Sequence, residues 1–290
     1  MSVQSLSALL HAPEILLAPG VYDALTASIA EKAGFRAVYL SGAALAYTRL
    51  GLPDIGLTTM TEMADTLALI RDRIELPIVI DADTGFGNAL NAQRTMRIYE
   101  RAGASALQIE DQTFPKRCGH LSDKSLIPAE EMCGKIRAMA DARASEETLI
   151  IGRTDAIAVE GFEAAMDRGE AYIEAGADAL FIEAPRSIEE LRLVGERLGR
   201  RVPLMANMVE GGATPMVMPP DLQALGFSMV IFPGGIVRAL ARTAEEYYAS
   251  LMASGSNQAF SERMFDFGGL NDRLGTTGLI ETGQRYAVGE

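Results

Sequence analysis

Eight short apolar runs recur along the chain, each followed by a longer stretch with helical spacing, and this alternation leaves few folds open. The runs are ILLAPG (15–20), AVYLSG (37–42), PIVIDAD (77–83), ALQIED (106–111), LIIGRTD (149–155), ALFIEA (179–184), PLMANM (203–208) and MVIFPG (229–234). Runs that stay apolar without alternating predict strands buried on both faces, as in a parallel sheet. A weak internal repeat supports the reading. EKAGFRAVYL, ERAGASALQI, EAGADALFI and ALGFSMVIF each place a glycine (Gly34, Gly103, Gly176, Gly226) between a helical stretch and strands two, four, six and eight. Glycine suits the left-handed position just past a helix end. Ser187 three residues before Glu190 reads as a capping box, and Pro219 and Pro220 suit the opening of the seventh helix. Eight βα units predict an α/β fold, a single (β/α)8 TIM-type barrel. A doubly wound open sheet is the alternative, disfavoured by the equivalence of the units.

The 290 residues fit this reading. A prior of about 150 residues per domain suggests two domains, but a barrel commonly fits about 250 residues into one. The expected organisation is one barrel domain over 1–290, with 255–290 as a C-terminal helical arm. Two connections are long, about 43–58 after strand two and about 112–128 after strand four. Loops of that length are usually functional or mobile. With 48 % hydrophobic and 22 % charged residues the chain is globular, and no apolar run approaches the roughly 20 residues of a spanning helix. A formal net charge of −13 argues against nucleic acid as a partner, while leaving small anions possible where local cations or a metal reverse the field. Two cysteines and two histidines are too few for a structural zinc site or a disulfide framework. The N-terminus lacks a basic segment followed by a long apolar one, which predicts a cytoplasmic protein.

Barrel enzymes work at the C-terminal ends of their strands. Those ends carry polar residues that packing does not require: Tyr39 and Ser41-Gly42, Asp81 and Asp83, Glu110-Asp111, Arg153-Thr154-Asp155, Glu183, and Asn207. Asp81, Asp83 and Glu110 form a cluster of oxygen donors of the kind that holds magnesium, usually through one or two carboxylates plus waters. Asp81 and Asp83, two apart, are expected on one side of their strand. Helix capping or pairing with an arginine is the other reading of these carboxylates. Arg153 suits a substrate carboxylate through its planar fork, or a buried pair with Glu183, and the two roles are compatible. Asn207 suits a carboxylate or carbonyl oxygen. In PKRCGH (115–120), Lys116, Arg117 and His120 surround Cys118. Nearby cations favour a thiolate, and a cysteine so placed can exchange a proton with substrate. An ordinary exposed basic loop is an equal alternative. Cys133, in EEMCGKI, reads as a packing residue. The PGG turn at 233–235 suits a phosphate or, more simply, a tight strand-to-helix turn.

YLSG (39–42), GLPDIG (51–56), DADTGFGNA (81–89), IEDQ (109–112), KRCGH (116–120), RTDA (153–156), IEA (182–184) and NMVEGGATP (207–215) together resemble the isocitrate lyase and phosphoenolpyruvate mutase superfamily, over about residues 15–275. The resemblance implies a barrel enzyme dependent on Mg2+ (with Mn2+ as a substitute) acting on small di- or tricarboxylates. It also implies a homotetramer that exchanges a helix between neighbours. The cysteine of KRCGH marks the carbon–carbon lyase branch, closest to the 2-methylisocitrate and 2,3-dimethylmalate (2-alkylmalate) types. NMVEGGATP leans to the alkylmalate side. Arg238 and Arg263 match positions where the methylisocitrate type binds a further carboxylate.

On that resemblance the reaction is a retro-aldol cleavage. Asp81 would hold the metal directly and Asp83 through water, with Glu110 beside them. Backbone at Ser41, Gly42 and Ala43, with Arg153, would grip the end that becomes pyruvate. Asp54, Lys116, Gly119, Glu183 and Asn207 complete the substrate contacts. Cys118 would protonate the departing carbanion, Asn207 and His120 would steady its oxygens, and Tyr39 is a candidate base for the hydroxyl. Oxaloacetate decarboxylation and carboxyphosphonoenolpyruvate mutase-type P–C chemistry are the alternative enzyme readings. A non-catalytic binding barrel is the third, and metal titration separates it.

Overall fold

The computed structural model describes residues 4–119 and 123–287. Eight parallel strands close into a barrel in chain order: β1 Leu16–Val21, β2 Val38–Leu40, β3 Ile78–Asp81, β4 Ala106–Glu110, β5 Leu149–Thr154, β6 Ala179–Ile182, β7 Leu204–Asn207 and β8 Met229–Phe232. Closure is made by β1 against β8, with Leu16 opposite Met229 and Pro19 opposite Phe232. The (β/α)8 expectation holds. Gly34, Gly103, Gly176 and Gly226 have φ between +91° and +103°, so the repeated glycine does terminate a helix in the left-handed region before every second strand.

Strand parity divides the core into two apolar sets. Leu16, Ala18, Tyr39, Val79, Ala106, Ile151, Phe181, Met205 and Ile231 form the barrel interior. Their alternate neighbours, among them Val38, Ile78, Ile80, Leu107, Ile150, Leu180 and Val230, pack outward with the helices. The interior is sealed by α1 (Leu6–Leu10), whose Leu6, Leu9 and Leu10 join the inner set. The sequence reading has no counterpart for α1. Its five residues are too few to show helical periodicity.

The other helices are α2 (Ala24–Lys32), α3 (Gly42–Leu45), α4 (Met60–Arg71), α5 (Ala89–Arg101), α6 (Ala129–Ala142), α7 (Ala156–Val159), α8 (Phe162–Glu174), α9 (Ile188–Leu198) and α10 (Pro219–Ala224). The expected connection over 43–58 is partly helical, since Ser41 caps α3 by accepting from the Ala44 N–H and a π-turn over Ala46–Leu50 follows. Ser187 caps α9 by accepting from the Glu190 N–H, and Pro219 opens α10. The Glu190 carboxylate turns to the Arg186 N–H, so only half of the expected capping box forms. Gly195, in the middle of α9, lies where a Cβ would stand 1.6 Å from the Leu225 carbonyl oxygen. Gly195→Ala therefore has to push two helices apart. We expect a loss of about 3 kcal/mol, at the upper end for overpacking, read from the midpoint of urea unfolding. A loss below a few tenths would show that the helices separate freely.

The chain falls into two compact units, Met1–Ile236 and Val237–Glu290. The second contains most of α11 (Gly235–Ser254), a 3-10 turn at Asn257–Arg263, α12 (Phe267–Leu274) and α13 (Thr276–Tyr286). The stretch after 254 is thus helical, as expected. Among the described residues no helix is long and apolar enough to cross a membrane.

Candidate active site

The polar residues at the strand ends come together at one mouth of the barrel, at inward positions that continue the interior set. Asp81 ends β3. Its Oδ1 accepts from Gln108 Nε2 (3.3 Å) and from the Asp83 N–H (3.2 Å). Gln108 in turn accepts from the Tyr39 hydroxyl at 2.6 Å. The chain Tyr39–Gln108–Asp81 fixes the Asp81 carboxylate, and Gln108 is a site residue the sequence reading passed over. The signal in the sequence is a polar residue at an inward position of an apolar strand, and the structure buries it fully. Burial, reinforced by the Asp81 charge, pushes the Tyr39 phenol well above its usual range. Tyr39 therefore keeps its proton and donates, which disfavours the expected role as a base.

Asp83 reaches the site by a route that strand alternation does not describe. The strand stops at Asp81, and Asp83 takes φ +45° in the turn that follows, a conformation that aspartate tolerates better than most residues. Its carboxylate is 2.8 Å from Lys116 Nζ, an ion-pair contact, and Lys116 donates to Asp54 at 2.6 Å. Burial pushes the Asp83 carboxyl up to about 6, with Lys116 opposing the rise and Asp81 and Asp54 adding to it. Burial likewise drives Glu110 well up, although Arg153 opposes it. Buried carboxylates this close together are costly without further positive charge.

The three expected metal carboxylates do not form a ready cage. Among the described residues no three Asp, Glu, His or Cys groups converge as a ligand set. Glu110 Oε2 is taken by Arg153 Nη1 at 3.2 Å, and Asp83 by Lys116. Yet Glu110 Oε1 is buried with no hydrogen-bond partner among the described residues, and Asp83 Oδ1 meets only the Lys116 ammonium. An all-oxygen set with unused acceptor capacity fits a hard divalent cation that takes one or two carboxylates and completes its shell with water and substrate.

Arg153 projects inward from β5. Its Nε and Nη2 meet Asp155 Oδ2 and Oδ1 at 2.9 and 3.1 Å. The guanidinium carbon stands 5.0 Å from the Phe181 ring centroid, a cation–π contact that supports it from the barrel interior. The direct partners are thus Asp155 and Glu110 rather than the expected Glu183, because Asp155, the cap of α7 just past the end of β5, turns its carboxylate back onto the guanidinium. Glu183 still acts on Arg153 through its charge. Glu183 Oε2 also accepts from Asn207 Nδ2 at 3.4 Å. Asn207 Oδ1 is buried and has no hydrogen-bond partner among the described residues.

The loop after β4 packs into this mouth. The Cys118 N–H donates to the Asp54 carbonyl oxygen at 3.2 Å. Lys116 points into the Asp54–Asp83 pair, and Arg117 pairs with Asp123 at 3.3 Å. Both cations beside Cys118 thus face carboxylates. His120 lies outside the described residues. Gly119 is seated so closely that a Cβ there would be 2.5 Å from Arg153 Nη2 and 2.7 Å from Glu183 Oε1. Gly119→Ala should keep the loop from seating and lower turnover by about a hundredfold, as a displacement near 1 Å can, with little change in melting temperature. Wild-type turnover would show that the reaction does not need this packing.

Gly42 brings backbone against the Asp81 carboxylate, where a Cβ would be 3.1 Å from Oδ2, and Ser41 and Ala43 flank it. The PGG turn is a packing element: the Pro233 carbonyl sits 2.2 Å from where a Gly20 Cβ would be. Arg238 and Arg263 belong to the second unit. There Arg263 pairs with Glu246 and lies over the Phe260 ring.

A closed parallel barrel with charged side chains gathered at its strand ends is the plan of a (β/α)8 enzyme. The phosphoenolpyruvate phosphomutase family model matches residues 6–252. The 2,3-dimethylmalate lyase of Eubacterium barkeri is 40 % identical over 281 residues, covering 97 % of this chain and 96 % of that one. The 2-methylisocitrate lyase of Bacillus subtilis (strain 168) is 46 % identical over 250 residues, covering 86 % and 81 %. A crystal structure of phosphonopyruvate hydrolase with oxalate and Mg2+ superposes with a TM-score of 0.87 at 31 % identity, covering 97 % of each chain. The chain belongs to the isocitrate lyase and phosphoenolpyruvate mutase superfamily. It is a carbon–carbon lyase of a superfamily that uses a divalent metal, and its lyase relatives act on small carboxylates.

Proposed function

We propose that the chain cleaves the C2–C3 bond of a 2-hydroxy acid bearing a second carboxylate on C3, of the 2-alkylmalate or 2-methylisocitrate type, releasing pyruvate and a second carboxylic acid. The observation that carries this reading is the packing of the Cys118 segment over Arg153 and the carboxylates. It sets the Cys118 segment, Arg153 and the carboxylates at one mouth of the barrel, which supports reading them as proton donor, anion clamp and metal site.

In this reading Asp81, with Asp83 and Glu110 beside it, would hold Mg2+, with Mn2+ as a substitute. When bound, the cation supplies Lewis-acid stabilisation of negative charge on the C2 hydroxyl and C1 carboxylate oxygens. Arg153, with backbone at Ser41, Gly42 and Ala43, fixes the end that becomes pyruvate. The C2 hydroxyl gives its proton to solvent, the C2–C3 bond breaks, and the electron pair passes to C3 as the enolate of the departing acid. Cys118 gives its thiol proton to C3. Asn207 and His120 steady the enolate oxygens, Glu183 anchors Asn207, and Lys116 holds Asp54 and Asp83 in place. Arg238 and Arg263 are candidates for a third carboxylate. We further propose a cytoplasmic homotetramer, with the barrel as one domain and 255–290 as an arm exchanged with a neighbouring subunit.

Metal binding should depend on pH through Asp83. In the metal-free protein Asp83 takes up a proton as the pH falls through about 6, and the cation must displace it. Apparent Mg2+ affinity should therefore fall about tenfold per pH unit below that point and level off above it. Calorimetric titration reads this directly. An affinity independent of pH across that point would remove Asp83 from the metal's surroundings. The substrate is tested by pyruvate release with Mg2+, comparing 2-methylisocitrate and 2,3-dimethylmalate at matched concentrations. Release from one and not the other fixes the third substituent. Release from neither, with protein folded and metal bound, rejects the lyase substrates proposed and shifts the reading to decarboxylase or mutase chemistry.

A further inference from the structure

A second buried lysine lies close to the mouth. Lys124 follows the Cys118 segment, and its side chain is 2 % exposed, while that of Asp155 is fully buried. An ammonium at that depth is stable only if its hydrogens find acceptors. Lys124 Nζ has two, Asp155 Oδ1 at 2.7 Å and the Gly119 carbonyl oxygen at 2.5 Å. Asp155 Oδ1 is also the oxygen that accepts from Arg153 Nη2. Arg153 Nη2 is in turn the atom that excludes a side chain at position 119. One carboxylate therefore ties together the loop that carries Cys118, through Lys124, and the arginine of the anion clamp.

Asp155 is itself fixed. Its N–H donates to Asp111 Oδ1 at 3.0 Å, and Asp111 Oδ2 accepts from Thr154 Oγ1 and the Tyr172 hydroxyl, each at 2.6 Å, and from Arg168 Nη1 at 3.2 Å. Burial alone would raise the Asp155 carboxyl. Arg153 and Lys124 together outweigh it and hold the group below the usual range. The charge balance gives Lys124 a second consequence. Arg153 faces the charges of Asp155, Glu110 and Glu183. With Lys124 in place, part of the Asp155 charge is neutralised by a group other than Arg153, which leaves the guanidinium more of its attraction for a substrate carboxylate.

We propose that Lys124 and Asp155 are positioning residues for the cleavage: Lys124, anchored on Asp155, holds the Gly119 carbonyl and so the height of Cys118, while sharing Asp155 with Arg153. The proposal rests on the reading of Cys118 as proton donor and Arg153 as carboxylate clamp. Neither Lys124 nor Asp155 reaches the reacting atoms in this account, so its test must separate position from fold.

The test is Lys124→Met, Lys124→Gln and Lys124→Arg in the full-length, metal-loaded enzyme, with two readouts. The first is kcat and KM for whichever of the two substrates the wild type cleaves. The second is the alkylation rate of Cys118 by iodoacetamide, with the buried Cys133 as internal control for unfolding. Lys124→Met should lower kcat by about a hundredfold, the cost of a misplaced catalytic group. It should also speed alkylation of Cys118 by about tenfold through local opening, leaving Cys133 protected. Lys124→Arg should restore most of both. Lys124→Gln can still donate to Gly119 but cannot neutralise Asp155. It should keep Cys118 protected and act mainly on KM, and it is read in place of Lys124→Met if Cys133 reports that the methionine variant has unfolded. In a double variant with Asp155→Asn, the effect of Lys124→Met should largely vanish, because the two side chains act as one unit. Wild-type kcat with unchanged Cys118 alkylation in Lys124→Met overturns the proposal, as does full additivity with Asp155→Asn. If the wild type cleaves neither substrate, the catalytic reading fails, and the alkylation rates alone still decide whether Lys124 holds the loop.

Discussion

Replacing Cys118 by serine should stop carbon–carbon cleavage while leaving substrate and metal bound. A serine hydroxyl occupies nearly the same volume, and the backbone N–H of residue 118 can still donate to the Asp54 carbonyl. What is lost is acidity. An alcohol gives up its proton far less readily than a thiol, and the carbanion left at C3 has no other acid assigned to it. General acid catalysis by a positioned group is worth about 10² to 10⁴ in rate, and turnover should fall by that factor. Single-turnover release of the 2-oxo acid, set beside calorimetric binding of substrate, separates the two effects. Retained turnover in Cys118→Ser would reject the acid role outright. Lost binding would instead mean that the loop no longer packs over Arg153.

The second large effect is expected at Asp81. Asp81→Asn keeps an oxygen that can accept from Gln108 and from the Asp83 N–H, so the local hydrogen bonds survive while one negative charge disappears. The remaining acidic groups nearby are engaged by cations, Asp83 by Lys116 and Glu110 by Arg153. Asp81 is thus the carboxylate with most of its charge left for a metal. Lewis-acid stabilisation of the developing alkoxide is worth several kcal/mol, so turnover should drop by about a thousandfold. Mg2+ affinity should weaken with it. The protein should still melt cooperatively, because removing a buried charge relieves repulsion. An Asp81→Asn enzyme with normal metal affinity would move the metal to a different set of oxygens.

Much of this site is legible in the residues because the strand period is strict. Once Ile151 and Phe181 are inward-facing, Arg153 and Glu183 must follow at the next inward positions, at the end where barrels place their chemistry. The glycine before strands two, four, six and eight announces its conformation because few other residues adopt it readily. Asp83 is different. It comes to the site through a positive φ beyond the strand, and spacing along a strand carries no information about that. Asp155, the partner of Arg153, likewise lies just past a strand, at the cap of α7, where the two-residue period no longer holds. The destinations of Lys116 and Lys124 could not be read at all. Both lie on an irregular connection, and their positions depend on Asp54 and Asp155, residues distant along the chain. Gln108 was legible and overlooked, since a polar residue at an inward position of an apolar strand has to find a partner. The helix α1 was invisible for the opposite reason, being too short to display a period.

The most direct test is cleavage in D2O with Mg2+, followed by mass and NMR analysis of both products. Exchangeable deuterium on the Cys118 sulfur should be delivered to the carbon that was C3. The departing acid should then carry one deuteron there, in a single configuration, alongside an equal amount of pyruvate. Products without deuterium at that carbon, or with racemic label, would contradict protonation by a fixed protein acid. The absence of any 2-oxo acid from the folded, metal-loaded enzyme with either substrate would contradict the proposed lyase reaction itself.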